Sequence, residues 1–294
     1  MHTKTIKRQF NAFLIPILLI YAALTLYPLI QSFVYSLSNF DGYSMNFHIT
    51  GFANYGRVFH DPSMTSALIY TLLYTIGTTA LITCLAIPLA VILDKKFFGN
   101  NFVRSAFFFP SVPSALLLGF VWGFLLNPLG SGAINAILHT IGLGPIPWLS
   151  ETGLARLSTI LVATWQQTGW HTLIYLAYLQ SIPEDFYEAA ELEGANSWQI
   201  FIHITLPQLM PAMTVSVMLL LTGGLKVYDL PFALTTGGPG YSTYTITQAV
   251  IQRGIAEGNF GLASALSIVF FLLVMIVTVI QQLLMRHGEE QINS

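Results

Sequence analysis

The sequence predicts an all-α polytopic membrane protein, and three observations carry that class. Hydrophobic residues make up 54% of the 294 positions and charged residues only 8%, with a mean hydropathy of +0.66, too apolar for a water-soluble globule of this size. Six apolar runs are each long enough to cross a hydrocarbon core, which takes about 20 helical residues. Between the fourth and fifth runs lies a polar, acidic stretch, which marks an exposed connection.

The spans are expected near residues 10–37, 67–93, 102–126, 154–180, 209–228 and 261–285. Pro16, Pro28, Pro88, Pro110 and Pro113 predict bends or interfacial ends, which membrane helices tolerate when neighbours satisfy the freed carbonyls. The first run follows Lys4, Lys7 and Arg8 like a signal peptide, but it is too long and lacks a small-x-small cleavage site, so it reads as an uncleaved span. The connections near 38–66, 127–153 and 229–260 contain Gly and Pro and are too small for separate domains, so residues 1–294 read as one transmembrane domain. The single cysteine, Cys84, excludes an intramolecular disulfide framework and reads as a space-filling side chain.

Lys and Arg set the orientation. Lys4, Lys7, Arg8, Lys95, Lys96, Arg104 and Arg286 fall on one side, and Arg57, Arg156, Lys226 and Arg253 on the other. The richer side is cytoplasmic by the positive-inside rule, which places both termini and the acidic loop inside.

That loop, residues 182–207, has a legible local logic. Ser181 and Glu184 form an S-x-x-E pattern, Pro183 sits where a missing N–H costs little, and Asp185 and Glu188 add charge near a helix N-terminus, so a helix is expected from about residue 182. Gly194 supplies the positive φ that ends it, and Asn196-Ser197 offer caps for a second helix. In the second helix Trp198, Phe201, Ile202 and Thr205 are expected on one face, packed under the bundle, with Pro207 and Pro211 at the entry to the next span. Glu184, Asp185, Glu188, Glu191 and Glu193 stand without a Lys or Arg among them, so they are either solvated or met by basic groups of a partner.

The order Glu188-Ala189-Ala190, Gly194, then Ile204-Thr205-Leu206-Pro207 resembles the EAA coupling loop of permease subunits in binding-protein-dependent ABC importers. The run from Lys226-Val227-Tyr228-Asp229 through Thr235-Thr236-Gly237-Gly238-Pro239-Gly240 is similar to the carbohydrate-uptake branch of that family, which takes up oligosaccharides, polyols and glycerol phosphates. The resemblance covers nearly the whole chain and is nearer to the first maltose permease than to its partner, without that protein's large outer-loop insertion. It implies a permease at the cytoplasmic membrane that pairs with a second permease, two ATPase subunits and an extracytoplasmic solute-binding protein, and moves sugar through the lipid bilayer by alternating access. Glu188, Ala189, Ala190, Gly194, Ile204, Leu206 and Pro207 are then the ATPase-coupling residues. No cofactor of its own, no metal and no nucleic acid is implied, and ATP is bound by the partner ATPases. The absence of a G-x-x-x-x-G-K-[ST] loop agrees with hydrolysis supplied in trans.

A transport path needs polar groups at membrane depth. Gln166, Gln167 and His171, set among Trp165 and Trp170, are candidates because amides and imidazole exchange hydrogen bonds with hydroxyls and indole faces stack on sugar rings. The alternative role is hydrogen bonding between helices. Asp229 is a fourth candidate, with Lys226 three residues away as a prospective helical partner. An ion-gradient-driven secondary transporter is the rival class, but the spans hold almost no acidic groups and no convincing inverted repeat. An intramembrane enzyme finds no H-E-x-x-H or nucleophile-base pattern.

Overall fold

The structure is a computed structural model that describes residues 14–44, 46–95, 97–128 and 132–293, the last ten of these in their backbone only. Lys4, Lys7, Arg8 and Lys96, four of the orientation residues, lie outside the described residues, as do the first residues of the first span and the side chain of Arg286. Among the described residues the fold is helical, with one isolated bridge pairing Ser38 and Ile49.

The helices are α1 (Leu14–Ser36), α2 (Ala53–His60), α3 (Pro62–Asp94), α4 (Asn100–Phe108), α5 (Ala115–Leu125), α6 (Ala133–Thr140) and α7 (Thr152–Leu179). Then come α8 (Asp185–Leu192), α9 (Ser197–Gln208), α10 (Met210–Leu225), α11 (Asp229–Thr235), α12 (Ile246–Ile251) and α13 (Phe260–Asn293). Three are long and apolar enough to cross a membrane by themselves: α1, α3 and the Phe260–Leu283 part of α13. Two further spans arise if each bent pair counts as one. The expected third span is such a pair: it breaks by 92° between Ser111 and Ala115, where Pro110 closes a 3-10 turn and Ser114 caps α5 by accepting from the Leu117 N–H. The expected fourth span, α7, has 28 residues, about 42 Å at 1.5 Å per residue. Its threonines, glutamines and histidine keep it below the apolar level of the others.

Prolines act in two ways. Pro88 sits inside an unbroken α3 and makes no break, against expectation. Pro28 and Pro207 each follow a π turn, Ala22–Leu26 and Phe201–Thr205. A proline ring presses on the carbonyl four residues before it, and a wider turn relieves that pressure. Thr75, Thr78, Thr164, Thr168 and Thr172 donate their hydroxyls to the carbonyl one turn back, so much of the polarity written into the spans is satisfied within its own helix.

The described chain forms two compact units, Met1–Met64 with Ala249–Leu272, and Thr65–Gln248 with Leu273–Ser294. In the first, Tyr35 stacks on Phe40 at 4.2 Å, and Phe40 meets Phe47 and Phe260 edge-on. Buried Asn54 donates to the carbonyls of Ser36 and Ser38, and Arg253 grips Asp61 at 2.8 Å and Glu257 at 2.6 Å. Partial burial opposes the Asp61 charge, but the Ser63 hydroxyl and N–H together with Arg253 hold its carboxyl below the usual range.

The second unit has two cores. One joins Ile82, Ala86, Ala90 and Leu93 of α3 to Tyr175, Leu176 and Leu179 of α7 and to Leu209, Ala212 and Leu220 around α10. The other joins Tyr70 and Tyr74 of α3 to Val162 and Ala163 of α7 and to Leu230 and Leu234 of α11. Gly169 lets α7 touch the chain at Phe107 so closely that a Cβ there would overlap the Phe107 carbonyl. Cys84 is exposed on α3 rather than filling a core.

Candidate coupling surface and substrate path

The acidic loop folds as the expected bent pair of helices, though its first cap differs. The helix starts at Asp185, not near 182, because Ser181 donates its hydroxyl back to the Tyr178 carbonyl at 2.6 Å and so does not cap Glu184. The end is a Schellman turn. Gly194 adopts φ +84°, its N–H reaches the Glu191 carbonyl at 3.0 Å, and the Ala195 N–H reaches the Ala190 carbonyl at 3.0 Å. A Cβ on Gly194 would meet nothing within 4 Å, so the demand for glycine is one of backbone conformation alone.

Asn196 then starts α9 with a full capping box. Its side chain accepts from the N–H groups of Trp198 and Gln199, and the Gln199 side chain accepts from the Asn196 N–H at 2.8 Å. The π turn shifts the buried face of α9 from the expected one. Phe201 packs against the inner core and Thr205 and Leu209 are buried, while Trp198 stays 67% exposed and Ile202 is also exposed. Phe201, Thr205 and Leu209 keep to one face at four-residue steps, while the widened turn carries Ile202 away from Thr205, which a 3.6-residue wheel misses.

Among the expected coupling residues, Ala190, Gly194 and Ile204 line one groove of about 390 Å³ between α8 and α9, together with Glu193, Gln199 and His203. Glu188 and Ala189 stand outside it, exposed on α8. Leu206 packs against the inner core, and Pro207 follows the π turn that feeds α10. All five carboxylates are exposed and make no ion pair among the described residues. Leu192, 90% exposed, and Phe186, 48% exposed and passed over by sequence reasoning, give the acidic helix an apolar side. Their signal was present: apolar residues inside a charged run too short to bury them. A crevice of about 230 Å³ behind the helix is lined by Asp94 and Lys95 of the α3 end and by Tyr187 and Glu191 of α8.

Polar groups of α7 divide by environment. His171, 2% exposed, shares a hydrogen bond of 2.8 Å with Ser216 of α10, and Gln166, 7% exposed, donates weakly to the Pro113 carbonyl at 3.4 Å. Both therefore link α7 to neighbouring segments. Gln167 is half-buried, and Trp165 and Trp170 are 45% and 42% exposed. Asp229 is exposed at the start of α11 and does not pair with Lys226, because α10 ends at Leu225 and the break at 226–228 removes the helical spacing that pairing needs. After α11 the Thr-Thr-Gly-Gly-Pro-Gly run is a tightly bonded turn. Thr236 and Gly237 take positive φ, the hydroxyls of Thr235 and Thr243 lie 2.7 Å apart, Gln248 donates to the Thr236 carbonyl, and Arg156 donates to the Ser242 carbonyl.

Comparison with known proteins agrees with this architecture. Residues 82–287 match the family of binding-protein-dependent transport system inner membrane components. The chain is 32% identical over 277 residues to the probable starch degradation products transport system permease protein of Thermoanaerobacterium thermosulfurigenes, covering 94% of each chain. It is 32% identical over 282 residues to the multiple sugar-binding transport system permease protein of Streptococcus mutans, covering 94% of this chain and 97% of the other. It superposes with a TM-score of 0.83 over 97% of both chains on a subunit of a bacterial alginate ABC transporter solved in complex with an alginate pentasaccharide-bound periplasmic protein, at 22% identity, which speaks for the fold alone. With a family match over most of its length and relatives aligned over 94% of it, this chain belongs to the inner membrane components of binding-protein-dependent ABC transport systems.

Proposed function

We propose that this chain is one of two permeases in an ATP-driven sugar importer, working with a second permease, two ATPase subunits and an extracytoplasmic sugar-binding protein. The observation that carries the reading is the exposed acidic helix α8, held at a set angle to α9 by a glycine turn on one side and a capping box on the other. Such a device delivers displacement. A push on α8 passes through the Gly194 turn to α9, whose Phe201, Thr205 and Leu209 are seated in the core of α3, α7 and α10.

The ATPase presents basic and apolar groups to α8 and its groove, meeting Glu188, Ala189, Ala190 and Gly194 directly. Ile204, Leu206 and Pro207 form the joint to the membrane. Six spans is the count we adopt, with α7 as the fourth, and both termini and α8 face the cytoplasm. ATP-driven closure of the ATPases rocks the two permeases and opens the cavity to the loaded binding protein, and hydrolysis resets it. The sugar path draws on at least one of Gln166, Gln167, His171 and Asp229. Gln167 and Asp229 retain surface for a substrate, whereas His171 and Gln166 already hold partners.

The assembly is tested by purifying the tagged chain from its own cells in mild detergent and identifying what comes with it. A second permease with its own EAA loop and an ATPase with a phosphate-binding loop are expected in stoichiometric amounts. Recovery of the chain alone, or with copies of itself and no ATPase, overturns the reading.

A further inference from the structure

α3 ends at Asp94 and apolar sequence resumes in α4 from Asn100, so connectivity holds this junction at a membrane–water interface. It lies on the face of the coupling loop, since Asp94 and Lys95 share a crevice with Tyr187 and Glu191. The end of α3 is capped by α4: Asn100 donates to the Leu93 and Lys95 carbonyls, and Arg104 donates through Nη2 to Leu93 at 2.8 Å. Beside this cap is a cavity of about 580 Å³ lined by Asp94, Phe97, Asn100, Arg104 and Gln180.

Two features of the cavity select its occupant. Phe98 and Phe102, next in sequence to the lining residues Phe97, Gly99 and Asn101, stand 106% and 77% exposed, a placement that water penalises and the headgroup region of a bilayer favours. The lining carries both signs of charge, Arg104 and the exposed carboxylate of Asp94, so a simple anion meets repulsion as well as attraction. Arg104 uses one N–H on Leu93 and keeps further donors of its fork.

We propose that this cavity seats a phospholipid headgroup bearing both a phosphate and a primary ammonium, as in phosphatidylethanolamine. Arg104 takes the phosphate, Asp94 takes the ammonium, and Phe98 and Phe102 lie against the upper acyl chains. Because Asp94 lines both this cavity and the crevice behind α8, a bound lipid stiffens the floor against which the coupling helix moves. The proposal rests on the permease reading only for which leaflet supplies the lipid.

The test uses the full-length chain in its purified complex, placed in nanodiscs with equal parts of phosphatidylethanolamine, phosphatidylcholine and phosphatidylglycerol of matched acyl chains. Lipids retained after transfer to detergent are counted by native mass spectrometry. Phosphatidylethanolamine is expected over either competitor by about fivefold, the upper end for one exposed ion pair. Asp94→Asn, a near-isosteric change at an exposed position, is expected to abolish the preference over phosphatidylglycerol, and Arg104→Gln to lower retention of both. Equal retention of phosphatidylcholine, a preference for phosphatidylglycerol in the unaltered protein, or an unchanged preference in Asp94→Asn overturns the proposal. So does retention that appears only once the ATPase is stripped away, which assigns the surface to the ATPase instead. Sugar uptake is read separately, so a failed headgroup test with intact uptake leaves the permease reading standing.

Discussion

At Gly194 the need for glycine is purely torsional, since the space around it is open while φ is +84°. A β-branched residue in the left-handed region costs about 1–2 kcal/mol, and asparagine far less. Gly194→Val is therefore expected to abolish most uptake while membrane insertion survives, and Gly194→Asn to keep much of it. Equal uptake by both variants removes the turn from the coupling device. His171 makes the opposite kind of demand. Its bond to Ser216 ties α7 to α10, and such bonds between membrane helices contribute about 0.6 kcal/mol on average and up to about 1.7 kcal/mol. A double-mutant cycle of His171→Ala and Ser216→Ala, read by thermal melting in detergent, should give a coupling in that range, with sugar dependence of uptake unchanged. No coupling, together with an altered sugar dependence, moves His171 to the sugar path.

Among the elements, α8 and α9 were the most legible from sequence and also where its limits are clearest. Gly194 and Asn196 do what their chemistry forecasts, because turn and cap signals act locally. Ser181 does not, since a threonine or serine near a helix end has two carbonyl and N–H choices, and the preceding helix claimed it. The inward face of α9 was misjudged at Ile202 because the π turn before Pro207 changes the period, and nothing in a fixed 3.6-residue wheel registers that. The third span's bend was readable in Pro110 and Pro113, while Pro88 made no break because the neighbouring turns of α3 continue through it. On α8, Glu188 is exposed in the middle of the helix and Glu193 sits beside the turn. Glu188→Lys is expected to release the ATPase in a pull-down from solubilised membranes far more than Glu193→Gln does. A carboxylate partnered in a dry contact is worth several times the roughly 0–1 kcal/mol of a surface pair. Wild-type recovery with both variants leaves Ala189, Ala190, Phe186 and Leu192 as the contact by shape and apolar area.

For the whole molecule, the membrane class was written in composition and the family in two short motifs, whereas the division into two packed units was not. Residues 249–272 join the N-terminal region through Arg253 with Asp61 and Phe260 with Phe40, contacts between segments 192 and 220 positions apart that no local pattern encodes. The central claim is that this permease imports sugar at the expense of ATP hydrolysed by its partners. Its most direct test is uptake by proteoliposomes holding the complete complex, with the binding protein and radiolabelled sugars outside and ATP trapped inside. The account predicts accumulation that requires both ATP and the binding protein and is indifferent to ionophores. Accumulation that proceeds without ATP and collapses when ionophores dissipate the ion gradient contradicts it.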